Sequence, residues 1–118
     1  MVLQVKGKME AYKLPNYGSI SNVFFDDLLG TEKRESGNPI VGSWFRIEKG
    51  PEATPPEYTY DEVGVVIEGE INLRDETGQT ATVRPGDTFF FPRGSTITFS
   101  SDSYGVAWKC GGRLPAKL

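Results

Sequence analysis

From Ile40 onward, apolar and polar positions alternate with period two, so that in Val41–Glu48 the residues Ser43, Phe45 and Ile47 share one side and Trp44, Arg46 and Glu48 the other. The alternation predicts strands. Thr59–Leu73 reads as a strand pair broken by a turn at Glu68–Gly69, Asp75–Gln79 as a hairpin turning at Thr77–Gly78, and Thr80–Val83 as its return. Arg84–Asp87 is a further turn, after which Phe89–Phe91 runs to Pro92 and Arg93–Gly94 leads into Ser95–Ser101. Tyr104–Lys109 is the closing strand and Gly111–Leu118 a tail. Strands recurring every eight to twelve residues or so are the spacing of a sandwich or barrel.

The first 39 residues read differently. Residues 1–22 open with an apolar VLQV and pass into KLPNYGSISN, which reads as an arm or edge strand. In Val23–Leu29 the pairs Phe24/Phe25 and Leu28/Leu29 are three to four apart, which predicts a short helix capped by Asn22 or Ser21. Gly30–Pro39 is a polar loop whose charge run Glu32–Glu35 belongs to a solvated surface. The expected organisation is one domain: an N-terminal arm, short helix and loop over 1–39, a barrel over 40–110, and a tail over 111–118. Arms of this kind often cross to a second subunit, so a homodimer is expected.

Composition narrows the picture. A chain of 118 residues buries about two thirds of its unfolded surface and needs no staples. Fourteen glycines and eight prolines, spread along it, suit many short strands and tight turns. Thirteen basic against sixteen acidic residues leave a net charge of -3, too small and scattered for a nucleic-acid surface. Cys110 has no intramolecular partner, which fits a reducing, cytoplasmic setting. No apolar stretch approaches a membrane span of about 20 residues, and the charges at Lys6, Lys8, Glu10 and Lys13 do not suit a signal peptide.

Two stretches carry the chemistry. In Gly50–Gly69, a glycine is followed after five residues by Pro56-x-Tyr58, after three by Glu62, and after six by Gly69. In Gly86–Ser101, a glycine is followed after five residues by Pro92-x-Gly94, then Ile97 and Ser101. These frames resemble the two motifs of the cupins, with Pro56, Tyr58 and Ile97 standing where that family has histidines. Tyr60-Asp61-Glu62, Val66–Glu70, Pro85-Gly86-Asp87, Phe91–Ser95 and Val106-Ala107-Trp108 resemble the EutQ-like, ethanolamine-utilisation subgroup over residues 44–109. The resemblance implies an all-β, single-domain jelly-roll barrel with at most one or two short helices, commonly dimeric, without the usual histidine set. It implies no kinase activity here, because no glycine loop to cradle phosphates and no basic cluster is evident.

With no histidine in the chain, one glutamate cannot hold a transition metal, and a hard-cation site from Glu48, Asp61 and Glu62 would need several converging oxygens. No metal and no cofactor is therefore expected. Strand parity places Pro56, Tyr58, Tyr60 and Glu62 on one face, extended by Ile97 and Phe99. Glu62 in an apolar cavity is a candidate general acid or base; the alternative is a scaffold glutamate bonded to backbone or to Arg46. Should the Trp44–Arg46–Glu48 face look inward, Glu48 pairs with Glu62 while Arg46 orients an oxygen; otherwise it is an exterior salt bridge. Tyr58 is a candidate hydrogen-bond donor, or simple packing. Tyr60, Ile97, Phe99, Trp44 and Trp108 would shape a substrate pocket, and Lys109, facing away from Trp108, would serve as a Schiff-base amine only if desolvated. Two functions fit: a metal-independent lyase or isomerase acting on a small organic substrate near a carbonyl, or a non-catalytic binding or accessory barrel.

Overall fold

The computed structural model describes residues 2–118. Among these, nine strands form two sheets, all neighbours antiparallel: β1 (Asn16–Tyr17), β2 (Ile20–Gly30), β3 (Val41–Glu48), β4 (Glu62–Gly69), β5 (Ile71–Arg74), β6 (Thr80–Val83), β7 (Thr88–Phe91), β8 (Thr98–Ser100) and β9 (Tyr104–Gly111). The larger sheet has the order β1-β2-β3-β9-β4-β7 and the smaller β6-β5-β8. Their inner faces enclose one core, to which β3 gives Phe45 and Ile47, β4 Val66, β5 Ile71 and β8 Phe99. The all-β barrel expectation holds, with one 3-10 turn, Lys8–Tyr12, the only helical element among the described residues.

Gly69 shows how a frame glycine shapes the barrel. It has φ +69°, and a Cβ there would lie 2.0 Å from the Tyr104 carbonyl oxygen, so only glycine lets β4 turn into β5 against β9. That carbonyl accepts the next amide, Glu70 N–H, at 2.9 Å.

Two expectations need correction. Val23–Leu29 lies inside strand β2, paired with β3 from Val23↔Ile47 to Gly30↔Val41, and forms no helix. The doublets that resembled a helical stripe arise because both faces of β2 are covered. Val23 and Phe25 point into the barrel core, whereas Phe24 and Leu28 join a second apolar cluster on the outside.

That outer cluster explains the second correction. The 3-10 turn and the residues just after it lay Ala11 and Leu14 against Trp44 and Val106, with Ile67 and Trp108 packed around them. The Trp44–Arg46–Glu48 side of β3 therefore faces away from the barrel, although Trp44 and Arg46 are both buried. Arg46 donates from Nε to the Ala11 carbonyl at 3.0 Å, stacks over Phe24 at 3.9 Å, and pairs with Glu48. Burial and an inward position are different things when an arm covers the outer face.

Candidate functional site

The larger sheet holds a cavity of about 210 Å³ whose polar groups include Tyr58, Tyr60, Glu62 and Lys109. Its walls include Tyr17, Phe25, Phe45 and Pro56, with Glu57 at the exposed rim. Glu62 begins β4 and is paired across to Phe91 and Gly111, both in register with the inner face. Lys109 sits on β9, between Ser43 of β3 and Gly64 of β4. Glycine at position 64 leaves no side chain beside the lysine; a Cβ there would lie 2.4 Å from the Phe89 ring.

The electrostatics are those of a charged pair in an aromatic enclosure. Glu62 and Lys109 are each 3% exposed, and Glu62 Oε2 lies 3.7 Å from Lys109 Nζ. This is an ion pair but not a hydrogen bond, and Oε2 has no hydrogen-bond partner among the described residues. Lys109 Nζ stands 4.1 Å from the Phe45 ring centroid and 4.4 Å from that of Phe99. Burial pulls the lysine below its ordinary value, the Glu62 carboxylate opposes that, and Arg113 adds to it. Burial, then the negative charge of Glu62, pushes the Tyr58 phenol strongly up, so it remains a neutral donor. Tyr60 is raised too, chiefly by burial, against the pull of Arg113. Tyr58 packs edge-on against Tyr60, with centroids 5.4 Å apart.

An anchoring network lies two strands across the sheet from the lysine, Asp27 of β2 standing opposite Ser43 and Ser43 opposite Lys109. Asp27 accepts from Arg113 Nη1 at 2.9 Å and Nη2 at 2.8 Å, from Ser43 Oγ at 2.7 Å, and from the Ala116 amide at 2.8 Å. Burial alone would raise its carboxyl, but these donors overcome it and hold the group at about 2. The Arg113 guanidinium sits 5.1 Å from the Tyr60 ring, tying the C-terminal segment to the cavity wall.

Of the residues singled out from the sequence, Glu62, Tyr58, Tyr60 and Lys109 come together in this cavity, and Lys109 is desolvated there. Phe99 forms part of the aromatic bed beneath Lys109. Ile97 is buried in the core and does not line the cavity. Glu48, Arg46, Trp44 and Trp108 lie on the outer face, so the proposed pairing of Glu48 with Glu62 is not made; the partner of Glu62 is a cation. Asp27, Ser43 and Arg113 were not singled out at all. For Lys109 the readable signal was its parity with Ala107 and Gly111 in an apolar strand, which turns a charged side chain inward.

The donor set does not fit a transition metal. Pro56 and Ile97 have no donor side chain, Tyr58 is held as a neutral phenol, and the ammonium of Lys109 beside Glu62 repels a dication. Among the described residues no group of three or more histidine, cysteine, aspartate or glutamate side chains converges.

A family model described as the EutQ-like cupin domain matches residues 39–109. The acetate kinase EutQ of Escherichia coli strain K12 is 45% identical over 49 residues, which make up 42% of this chain and 21% of that protein. The chain spans about a fifth of the length of the curated relatives it matches. Among solved structures, a protein assigned to ethanolamine utilization, EutQ of Salmonella typhimurium LT2, aligns with a TM-score of 0.69 at 26% identity, covering 87% of this chain and 79% of that one. The EutQ protein of Clostridium difficile gives 0.67 at 24% identity, over 97% and 83%, and so speaks for the fold.

Proposed function

Because the chain belongs to the EutQ-like cupin domain family, yet carries a carboxylate and an amine where a metal would be held, we propose that it is a metal-independent enzyme moving protons on a small carbonyl compound, a lyase or isomerase in class. The observation that carries this reading is Glu62: a carboxylate 3% exposed, lining a cavity, with an oxygen that has no hydrogen-bond partner among the described residues. A buried polar atom left unpaired calls for a partner, such as a water, an ion or a bound ligand. Glu62 takes or returns the proton α to the carbonyl, while the neutral Tyr58 phenol donates a hydrogen bond to the oxygen on which negative charge develops. The cavity of about 210 Å³ is smaller than the roughly 300–1,000 Å³ of drug-sized sites, which supports a substrate of a few carbons.

The acetate kinase activity belongs to the whole E. coli EutQ, and the aligned segment here offers no parallel for it: the cavity presents aromatic walls rather than a glycine loop. The test is exchange of α-hydrogens on small ketones and aldehydes in deuterated buffer, followed by proton NMR. Glu62→Gln keeps the shape and removes the base, and the expected loss of exchange is about 100-fold or more. Unchanged exchange in that variant would leave the barrel as a binding or accessory module.

A further inference from the structure

Proton transfer by Glu62 leaves Lys109 without a task. β9 lies between β3 and β4, so both ladders pin the Lys109 backbone, and its side chain is buried in the cavity. Its amine ends against the rings of Phe45, Phe99 and, at 5.7 Å, Phe25, none of which offers a lone pair. The charges stand 3.7 Å apart, beyond hydrogen-bond distance, and Glu62 Oε2 has no hydrogen-bond partner among the described residues. Both groups line the cavity, so a carbonyl carbon bound there meets the amine and the acid together.

Resting on the reading that the cavity handles small carbonyl compounds, we propose that Lys109 Nζ forms a covalent imine with a bound aldehyde or ketone. The ammonium of Lys109 gives a proton to the Glu62 carboxylate. The freed lone pair bonds to the carbonyl carbon, the C=O π pair moves to oxygen, and a proton passes from nitrogen to that oxygen to give a carbinolamine. Protonated Glu62 then returns its proton to the hydroxyl, the C–O bond breaks, and water leaves; the nitrogen lone pair forms the C=N bond of a protonated imine. The balance is one ammonium and one carbonyl giving one iminium and one water, with Glu62 again a carboxylate. An iminium acidifies the α-hydrogen, which that carboxylate is placed to remove. Desolvation supports the first step, since it favours the neutral amine.

The experiment incubates the full chain with hydroxyacetone and, separately, propionaldehyde at pH 7 in the presence of cyanoborohydride, and maps the reduced adducts by peptide mass spectrometry. Labelling at Lys109 is expected to exceed that at Lys6, Lys8, Lys13, Lys33, Lys49 and Lys117 by about tenfold or more. It should vanish in Lys109→Met, whose fold is checked by circular dichroism. Labelling confined to the surface lysines overturns the proposal. The exchange assay separates the two ideas: exchange lost in Glu62→Gln but retained in Lys109→Met keeps the acid/base reading and sinks the imine. Lys109 adducts without any exchange keep the imine and sink the acid/base reading.

Discussion

Asp27→Asn removes one charge from the network that fastens the C-terminal segment to the cavity wall while keeping the side chain's shape. The structure fixes the magnitude. The Asp27 side chain is 5% exposed, and the bidentate Arg113 contact with its two further donors brings its carboxyl from an ordinary 3.8 to about 2. At about 1.36 kcal/mol per pH unit this is about 2 kcal/mol of folding stability at neutral pH. A carboxyl lowered in the folded state contributes fully above its unfolded value and loses that contribution as pH falls through the folded one. The difference between parent and variant should therefore be about 2 kcal/mol at pH 7, little changed at pH 5, and roughly half as large at pH 3. Urea unfolding followed by far-ultraviolet circular dichroism at these three pH values measures it. A difference under about 0.5 kcal/mol at pH 7, or one that ignores pH, would refute the assignment of this network as an anchor.

Breaking the Glu62–Lys109 pair from one side should be costly: Lys109→Met leaves a buried carboxylate unpaired and is expected to lose about 3–5 kcal/mol in urea unfolding. The double variant Glu62→Gln/Lys109→Met should recover part of that loss, and strictly additive effects would show that the two groups do not interact. Glu48→Gln, by contrast, should leave α-hydrogen exchange unchanged and shift stability by less than about 1 kcal/mol, because its carboxylate is half exposed on the outer face; a drop in exchange would return Glu48 to the site.

The barrel was legible because its constraints are local. Gly69 can be read from the sequence since a tight turn needs a residue free of Cβ, and period two in β3 and β9 announced strands with two faces. Phe45 and Ile47 read as core and are core, but whether the opposite face of β3 was exterior or pocket was not legible, because an arm far away in the chain covers it. Ala11 and Leu14 cover Trp44, so a mixed outward face is buried without facing the barrel. The same cover made β2 resemble a helix. Glu62 was found through the spacing of the motif, which depends on short-range register, whereas Lys109, Asp27 and Arg113 meet their partners only through pairing of strands distant in sequence.

The outer cluster also decides how the protein can be watched. Both tryptophans of the chain, Trp44 and Trp108, lie in it, edge to face with centroids 5.0 Å apart, and neither lines the cavity. Intrinsic tryptophan emission is thus a gauge of whether the N-terminal segment is seated. A compound entering the barrel would pass beneath the sheet and leave that emission unchanged, while tyrosine absorbance at Tyr58 and Tyr60 would register its arrival.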